Sequence, residues 1–247
     1  MSFQDHFSAQ ADAYARFRPT YPDALYAYLA SLTPEHVLAW DCGTGSGQAA
    51  VALAAHYTQV IASDPSREQI AHAAAHARVR YVVASAEQPP AEARGADLVT
   101  AAQALHWFDC ERFYPALERV LKPGGLFAAW GYGLMRIAPL VDAVVLRYYT
   151  DAVGPYWPPG RRHIESGYQS LPFPLTELVA PSFAMTAPWR LENLFGYLDS
   201  WSATRRYLKA RGEHPLASLY PELAAAWGEV PERTVTWPLF LRLGRCA

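Results

Sequence analysis

The stretch Ala39–Ala50, AWDCGTGSGQAA, sets three glycines (Gly43, Gly45 and Gly47) within five positions, directly after a short apolar run. A glycine-rich turn of this kind lets the backbone approach a ligand closely. A Walker phosphate loop requires Lys followed by Ser or Thr after its last glycine, and Gln48-Ala49 stand there instead. A dinucleotide fingerprint, G-x-G-x-x-G, needs its third glycine at the sixth position. Counting from Gly43, that position is Gln48, and the third glycine falls one place early at Gly47. Asp41, at the end of the apolar run, would repel a pyrophosphate and attract a ligand that carries an ammonium group.

Outward from this loop the first half of the chain has a regular beat. Val37-Leu38-Ala39-Trp40 reads as a strand, followed by a helix from about Ser46 to Ala55. Val60-Ile61-Ala62 is the next strand, and Ser66-Arg67-Glu68-Gln69 has the S-x-x-Q form of a capping box opening another helix. Tyr81-Val82-Val83, Leu98-Val99-Thr100 and Leu126-Phe127-Ala128-Ala129 complete five strands. They are continuously apolar, as strands covered on both faces by helices should be. Alternating βαβ units imply a parallel, doubly wound sheet, whose ligands bind at the carboxyl ends of the strands where strand order reverses.

The flanking segments are less regular. Leu25, Leu29 and Leu32 place a helix over Pro22–Leu32, and Leu134 to about Tyr149 reads as helical. Residues 154–168, GPYWPPGRRHIESGY, are too proline-rich for a helix or a central strand. A strand is expected over Phe183–Arg190 and a helix over 200–212, and Val235 to Leu243 alternate at period two. Pro238 sits awkwardly in the middle of that last strand.

Composition bounds the rest. Of the 247 residues, 51% are apolar and 18% charged, and the net charge is −2, which gives no electrostatic reason to expect nucleic acid or an anionic membrane. Cys42, Cys110 and Cys246 are odd in number and widely spaced, which argues for a reducing compartment and against a disulfide framework or a zinc site. Expectations are therefore a cytoplasmic protein with no metal, no nucleic-acid partner and no membrane partner.

Leu38-Ala39-Trp40-Asp41-Cys42-Gly43-Thr44-Gly45-Ser46-Gly47 resembles the cofactor loop of class I S-adenosylmethionine-dependent methyltransferases. Four further stretches, in order, strengthen the resemblance. Asp64 lies 21 positions after Gly43, Ala84-Ser85-Ala86-Glu87 ends the third strand, Gln103-Ala104-Leu105-His106-Trp107-Phe108 follows the fourth, and Arg119-Val120-Leu121-Lys122-Pro123-Gly124-Gly125 forms the turn into the fifth. Beyond the core, Phe7 to Pro22, Pro155-Tyr156-Trp157-Pro158 with Arg161-Arg162, and Trp201-Ser202-x-x-Arg205-x-Tyr207 are similar to the type-11 family, in particular to its trans-aconitate methyltransferase-like members.

The resemblance implies a Rossmann-like α/β fold: a doubly wound, seven-stranded, mostly parallel sheet with an antiparallel last strand and helices on both faces. It implies one domain over 1–247, with an N-terminal helical lid at 1–33, a cofactor-binding core at 34–131 and acceptor-side elements at 132–247. It further implies that S-adenosylmethionine is held by Asp41, Gly43, Thr44, Gly45 and Gln48, by Asp64, Pro65 and Ser66 at the ribose, and by Ser85, Ala86 and Glu87 at the adenine. Gln103, Ala104 and His106 would line the methyl-transfer face, and Tyr14, Arg18 and Tyr21 would close over the cofactor. Trp107, Trp157, Arg161, Arg162, Tyr168, Trp201 and Arg205 would bind a small organic acceptor.

The chemistry leaves alternatives open. His106 is a candidate general base or a ring stacked beside the cofactor. The aromatics could wall an apolar pocket or simply pack, and the arginines could hold a carboxylate or pair with acids such as Glu165. Because methyl transfer needs positioning more than any obligatory side chain, a non-catalytic cofactor-binding protein is a second reading, and a dinucleotide-dependent oxidoreductase a third.

Overall fold

A computed structural model describes residues 19–245; Tyr14, Arg18 and Cys246 lie outside the described residues. A first helix, α1 (Asp23–Ser31), buries Leu25 and Leu29 and precedes the sheet. The parallel strands are β1 (Leu38–Cys42), β2 (Gln59–Asp64), β3 (Val79–Val83), β4 (Ala96–Ala102) and β5 (Leu121–Tyr132). Between them run α2 (Gln48–Leu53), α3 (Arg67–Ala71) and α4 (Cys110–Val120). Every residue of β1 is buried, whereas β3 alternates between half-buried and exposed, as its edge position predicts.

Strand order is β3-β2-β1-β4-β5-β8-β6, so it reverses between β1 and β4. Ligands of such sheets collect at the carboxyl ends of strands flanking that reversal, and the glycine loop leads directly out of β1 at that point. The local start signals act as expected. Ser66 caps α3, its Oγ accepting from Gln69 N–H at 3.2 Å. Gly47, at φ +86°, opens α2.

The second half adds α5 (Pro139–Arg147), a π turn over Tyr148–Ala152, α6 (Arg161–Glu165), β6 (Thr176–Leu178), β7 (Phe183–Trp189), α7 (Leu191–Asp199), α8 (Ser202–Arg211), α9 (Pro215–Trp227) and β8 (Arg233–Arg245). β8 runs antiparallel to β5, and both β6 and β7 pair with β8.

Several expectations need correction. The described sheet has eight strands where seven were expected, because β6 and β7 lie end to end along one side of β8, against residues 243–245 and 233–239. The helix expected from Leu134 starts only at Pro139, since the residue before a proline is driven out of the helical region and Ala138 is fully extended. The proline-rich segment does carry a helix, α6, because its prolines end at Pro159 and leave Arg161–Glu165 free to coil. Pro238 is accommodated by parity. Thr236, two residues earlier, exchanges both its hydrogen bonds with Arg136 on the β5 side, so position 238 faces that side too. Pairing with β5 begins only at Leu239, and the missing N–H therefore meets no ladder partner.

Three apolar clusters result. Two coat the faces of the parallel sheet, around Phe113 and Phe127 on one side and Leu29, Leu53 and Trp130 on the other. The third joins α5, α7, α8 and α9 to β7 and β8 through Trp189, Trp201, Trp227 and Trp237. No helix among the described residues is long and apolar enough to cross a membrane.

Candidate active site

The penultimate residue of β1, Asp41, is a carboxylate that is completely buried. Asp41 accepts from the Thr44 hydroxyl at 2.6 Å and, across the β1–β4 ladder, from its register partner Thr100 at 2.7 Å. An ionised carboxylate is costly to bury, and desolvation pushes its pKa up to about 6 even though both hydroxyls favour the charged form. Asp41 was expected to look directly at a ligand; the structure turns its two oxygens to hydroxyls within the loop's own base.

The loop itself is drawn tightly to β2. Ser63 carbonyl accepts from Gly43 N–H at 2.8 Å and Thr44 N–H at 2.9 Å. Asp64, at the end of β2, accepts from Gly45 N–H at 3.0 Å and from Ser66 N–H at 2.9 Å. Gly43 has φ +70°, and a Cβ there would lie 2.7 Å from the Ala104 Cβ, so the loop presses against the segment after β4. At Gly45 a Cβ would find its nearest atom 3.9 Å away, leaving that side of the loop open. Gln48 reaches the Pro19 carbonyl at 3.4 Å. Among the described residues two carboxylates, Asp41 and Asp64, accept hydrogen bonds from residues 43–47, a donor set suited to a cationic, phosphate-free ligand.

After β3, Ser85 and Glu87 are half-buried and Ala86 is buried. Glu87 accepts from the Asp109 N–H at 2.9 Å, tying this stretch to the start of α4. Gln103 takes the left-handed conformation at φ 53° and clamps the end of β5, its amide both donating to the Tyr132 carbonyl and accepting from the Tyr132 N–H. Its side chain is thus engaged in holding two strands together. Tyr21 packs edge-on against Trp130 at 5.6 Å, near the same strand ends.

Beside the loop opens a narrow cleft of about 80 Å³. Gln103, His106 and Trp107 line it from the segment after β4, Tyr132 and Gly133 from the end of β5, Trp157, Pro158, Arg161 and Ile164 from the proline-rich segment and α6, and Tyr197, Ser200, Trp201 and Ser202 from the α7–α8 corner. His106 Nδ1 lies 3.0 Å from the buried Tyr168 hydroxyl. Burial, with the Arg161 cation next in weight, holds the His106 pKa down to about 3. A ring that sheds its proton so readily is a poor general base at neutral pH. Burial raises the Tyr168 phenol far above its usual range, so it too stays protonated.

Of the three arginines expected at the acceptor, one lines the cleft. The Arg161 guanidinium lies over the Trp157 ring, 4.5 Å from its centroid. Arg162 is exposed on α6 and turned to His163, and Arg205 is ion-paired with Asp199; neither is among the lining residues of the cleft. Tyr168 is completely buried beside His106, and of the lining tryptophans Trp201 is 4% exposed and Trp107 42%. Sequence reasoning missed Tyr132, Tyr197 and Ser200. The first lies beyond the Leu126–Ala129 run expected as a strand, the second in a helix no pattern had marked, and the third at the end of that helix, at the edge of the 200–212 segment expected as a separate helix.

The methyltransferase domain family matches residues 40–129, the span from β1 to β5 that carries the loop. A Dictyostelium discoideum protein named as a methyltransferase is 33% identical over 251 residues, 98% of this chain and 95% of its own length. The chain belongs to the methyltransferase family. A solved structure from Anaeromyxobacter dehalogenans, described as a type II methyltransferase, is 47% identical to the methyltransferase and superposes with a TM-score of 0.85 over 92% of this chain and 97% of its own. More distantly, the fold alone is shared with a Haemonchus contortus phosphoethanolamine N-methyltransferase bound to phosphomonomethylethanolamine and S-adenosylhomocysteine. That protein is 18% identical, with a TM-score of 0.51 over 99% of this chain and 60% of its own. The methyltransferase uses S-adenosylmethionine, and the phosphate-free, carboxylate-flanked loop fits that cofactor. A dinucleotide-dependent oxidoreductase falls with this assignment.

Proposed function

We propose that the methyltransferase transfers the methyl group of S-adenosylmethionine to a carboxylate oxygen of a small organic acid, as the trans-aconitate methyltransferase-like members of its family would. One observation carries this reading: the cleft beside the cofactor loop presents a single charged side chain, Arg161, and no acidic one among its described lining residues. An acceptor that arrives already ionised matches that lining. A phenol or ammonium acceptor would need a base, and His106, with its pKa near 3, does not supply one.

Bound S-adenosylmethionine would supply an activated methyl, the acceptor oxygen forming the new C–O bond as the C–S bond breaks and its electron pair returns to sulfur. Nothing in this exchange requires the protein to move a proton. Its residues position and dry the site instead. Asp41 and the Gly43–Gly47 turn would hold the methionine end, Asp64 with Pro65 and Ser66 the ribose, and Ser85, Ala86 and Glu87 the adenine. Ala104 and His106 would face the transferred methyl, and Trp107 and Trp157 would border the acceptor. The same reading assigns residues 34–131 to holding the cofactor and 132–247 to shaping the acceptor side; of the lid expected at 1–33, residues 1–18 lie outside the described residues.

A direct test incubates the enzyme with methyl-labelled cofactor and a panel of small carboxylic acids, phenols and amines. Label should enter the acids as methyl esters that mild base releases. Transfer only to products stable in mild base would reject the carboxylate acceptor.

A further inference from the structure

Arg161 and Glu165 stand four residues apart on α6, the spacing at which opposite charges ordinarily pair directly. Here they do not: among the described residues no carboxylate lies within ion-pair distance of Arg161. The Tyr149 hydroxyl, from the π turn after α5, stands between them. It accepts from Arg161 Nε at 2.8 Å and donates to Glu165 Oε1. Tyr149 is 7% exposed, its backbone carbonyl accepts from Trp157 Nε1 at 3.3 Å, and the guanidinium lies over both rings. Burial foremost pushes the Tyr149 phenol up to about 12, so it remains a neutral hydroxyl able to bridge the two charges.

The consequence is geometric. One edge of the guanidinium, Nε, is taken by Tyr149 and the aromatic rings fix its plane; Arg161 lines the cleft, and its terminal amino groups have no acidic partner among the described residues. A guanidinium held this way presents two parallel donors in the geometry that a carboxylate matches.

We propose that Tyr149 and Glu165 are positioning residues that hold Arg161 as a preformed two-donor fork, and that this fork makes the cleft selective for carboxylates over neutral isosteres of the same shape. The inference rests on reading the cleft as the acceptor site and adds to it two residues outside its lining. The Tyr149 hydroxyl both removes the direct Arg161–Glu165 pair that would turn the guanidinium aside and locks its rotation. Lysine in place of Arg161 would restore the charge but not the fork.

The test uses the full-length enzyme saturated with S-adenosylhomocysteine, with benzoate, benzamide, succinate and succinamide as probes and tryptophan fluorescence as readout, since Trp157 lies against the guanidinium. The parent should bind the acids and not the amides. Arg161→Ala should abolish acid binding, and Arg161→Lys should recover only a small part of it. Tyr149→Phe keeps the ring that packs the core and should weaken acid binding by about five- to tenfold, with S-adenosylhomocysteine affinity unchanged. The exposed Glu165→Gln should weaken it less. In the Arg161→Ala background, Tyr149→Phe should have no further effect, because it acts through Arg161. Equal binding of acid and amide by the parent, or an unchanged affinity in Tyr149→Phe, would overturn the proposal. Because this readout needs no turnover, carboxylate binding without ester formation would reject the transfer chemistry alone. Ester formation with no loss in Tyr149→Phe would reject the relay alone.

Discussion

Asp41 concentrates the physics of the cofactor site in one side chain. Its carboxyl is buried in the centre of the sheet, where an unpartnered charge would be prohibitive, and two threonine hydroxyls satisfy its two oxygens. Desolvation still prevails, and the pKa rises to about 6. A cation bound nearby, such as the ammonium of the cofactor, favours the ionised form and must therefore bind more tightly as Asp41 loses its proton. The sign comes from linkage: in the free enzyme the carboxyl is mostly protonated at pH 5 and mostly ionised at pH 7.5, so affinity should rise by roughly tenfold over that interval. Binding near pH 6 should release a proton, seen as a dependence of the calorimetric heat on the ionisation enthalpy of the buffer. In Asp41→Asn the affinity should be weak and flat with pH; a parent-like rise in that variant would assign the titration elsewhere. Asp41 was visible in the sequence as the acid before the glycines. That its partners are Thr44 and Thr100 was not, because Thr100 lies 59 positions away and meets it only through the register of β1 and β4.

At the scale of elements, the β1–loop–α2 unit was legible because each of its parts carries a local signal: a continuous apolar strand, glycines at forced dihedrals and a helix start. The glycines have separable roles, and substitution should separate them. Gly43→Ala puts a Cβ at φ +70° and 2.7 Å from the Ala104 Cβ, a backbone-anchored neighbour that cannot swing away. Gly95→Ala meets a similar φ of +82° with nothing within 4 Å. The second should therefore cost only the backbone preference, about 1–2 kcal/mol, and the first about 2–4 kcal/mol through added overlap. Urea unfolding gives both values, and Gly43→Ala alone should also weaken cofactor binding. Equal losses would mean that the loop shifts freely away from Ala104. Elsewhere the elements hid. Helix α9 places Leu216, Leu223 and Trp227 on its buried face but carries Pro221 in its interior, which masks the pattern. Helix α6, which presents Arg161, is a five-residue turn stabilised by packing on the His106 segment rather than by its own sequence. The acceptor cleft is assembled from such pieces, so its residue types were readable while their convergence was not.

On the scale of the whole molecule, β8 is the strand on which the two halves meet. Its residues 239–245 pair with β5 of the cofactor-binding sheet, and its residues 233–239 pair with β7, which carries α7 and the cleft's far wall. The alternation of Val235, Trp237, Leu239, Leu241 and Leu243 announced a strand but could not say that it serves both halves at once. Trp237 is the test of that arrangement. Its ring is completely buried, 4.7 Å from Trp189 and 5.8 Å from Tyr197 between ring centroids, and lies on the acceptor side, far along the strand from the pairing with Leu126. Trp237→Ala should cost about 3–5 kcal/mol, the usual effect of emptying a large core site. If β8 couples the halves, the loss must appear everywhere: hydrogen exchange of the amides in β1 and β4, which touch neither Trp237 nor its neighbours, should speed up by the same free energy as those in β7. If the acceptor side were a separately folding unit, Trp237→Ala would accelerate exchange in β7 and α7 and leave β1 and β4 at the parent rate. Saturating S-adenosylhomocysteine sharpens the contrast. A ligand that binds only the folded cofactor loop stabilises whatever unfolds together with that loop, so in a coupled molecule it should slow exchange in β7 of Trp237→Ala as much as in β1.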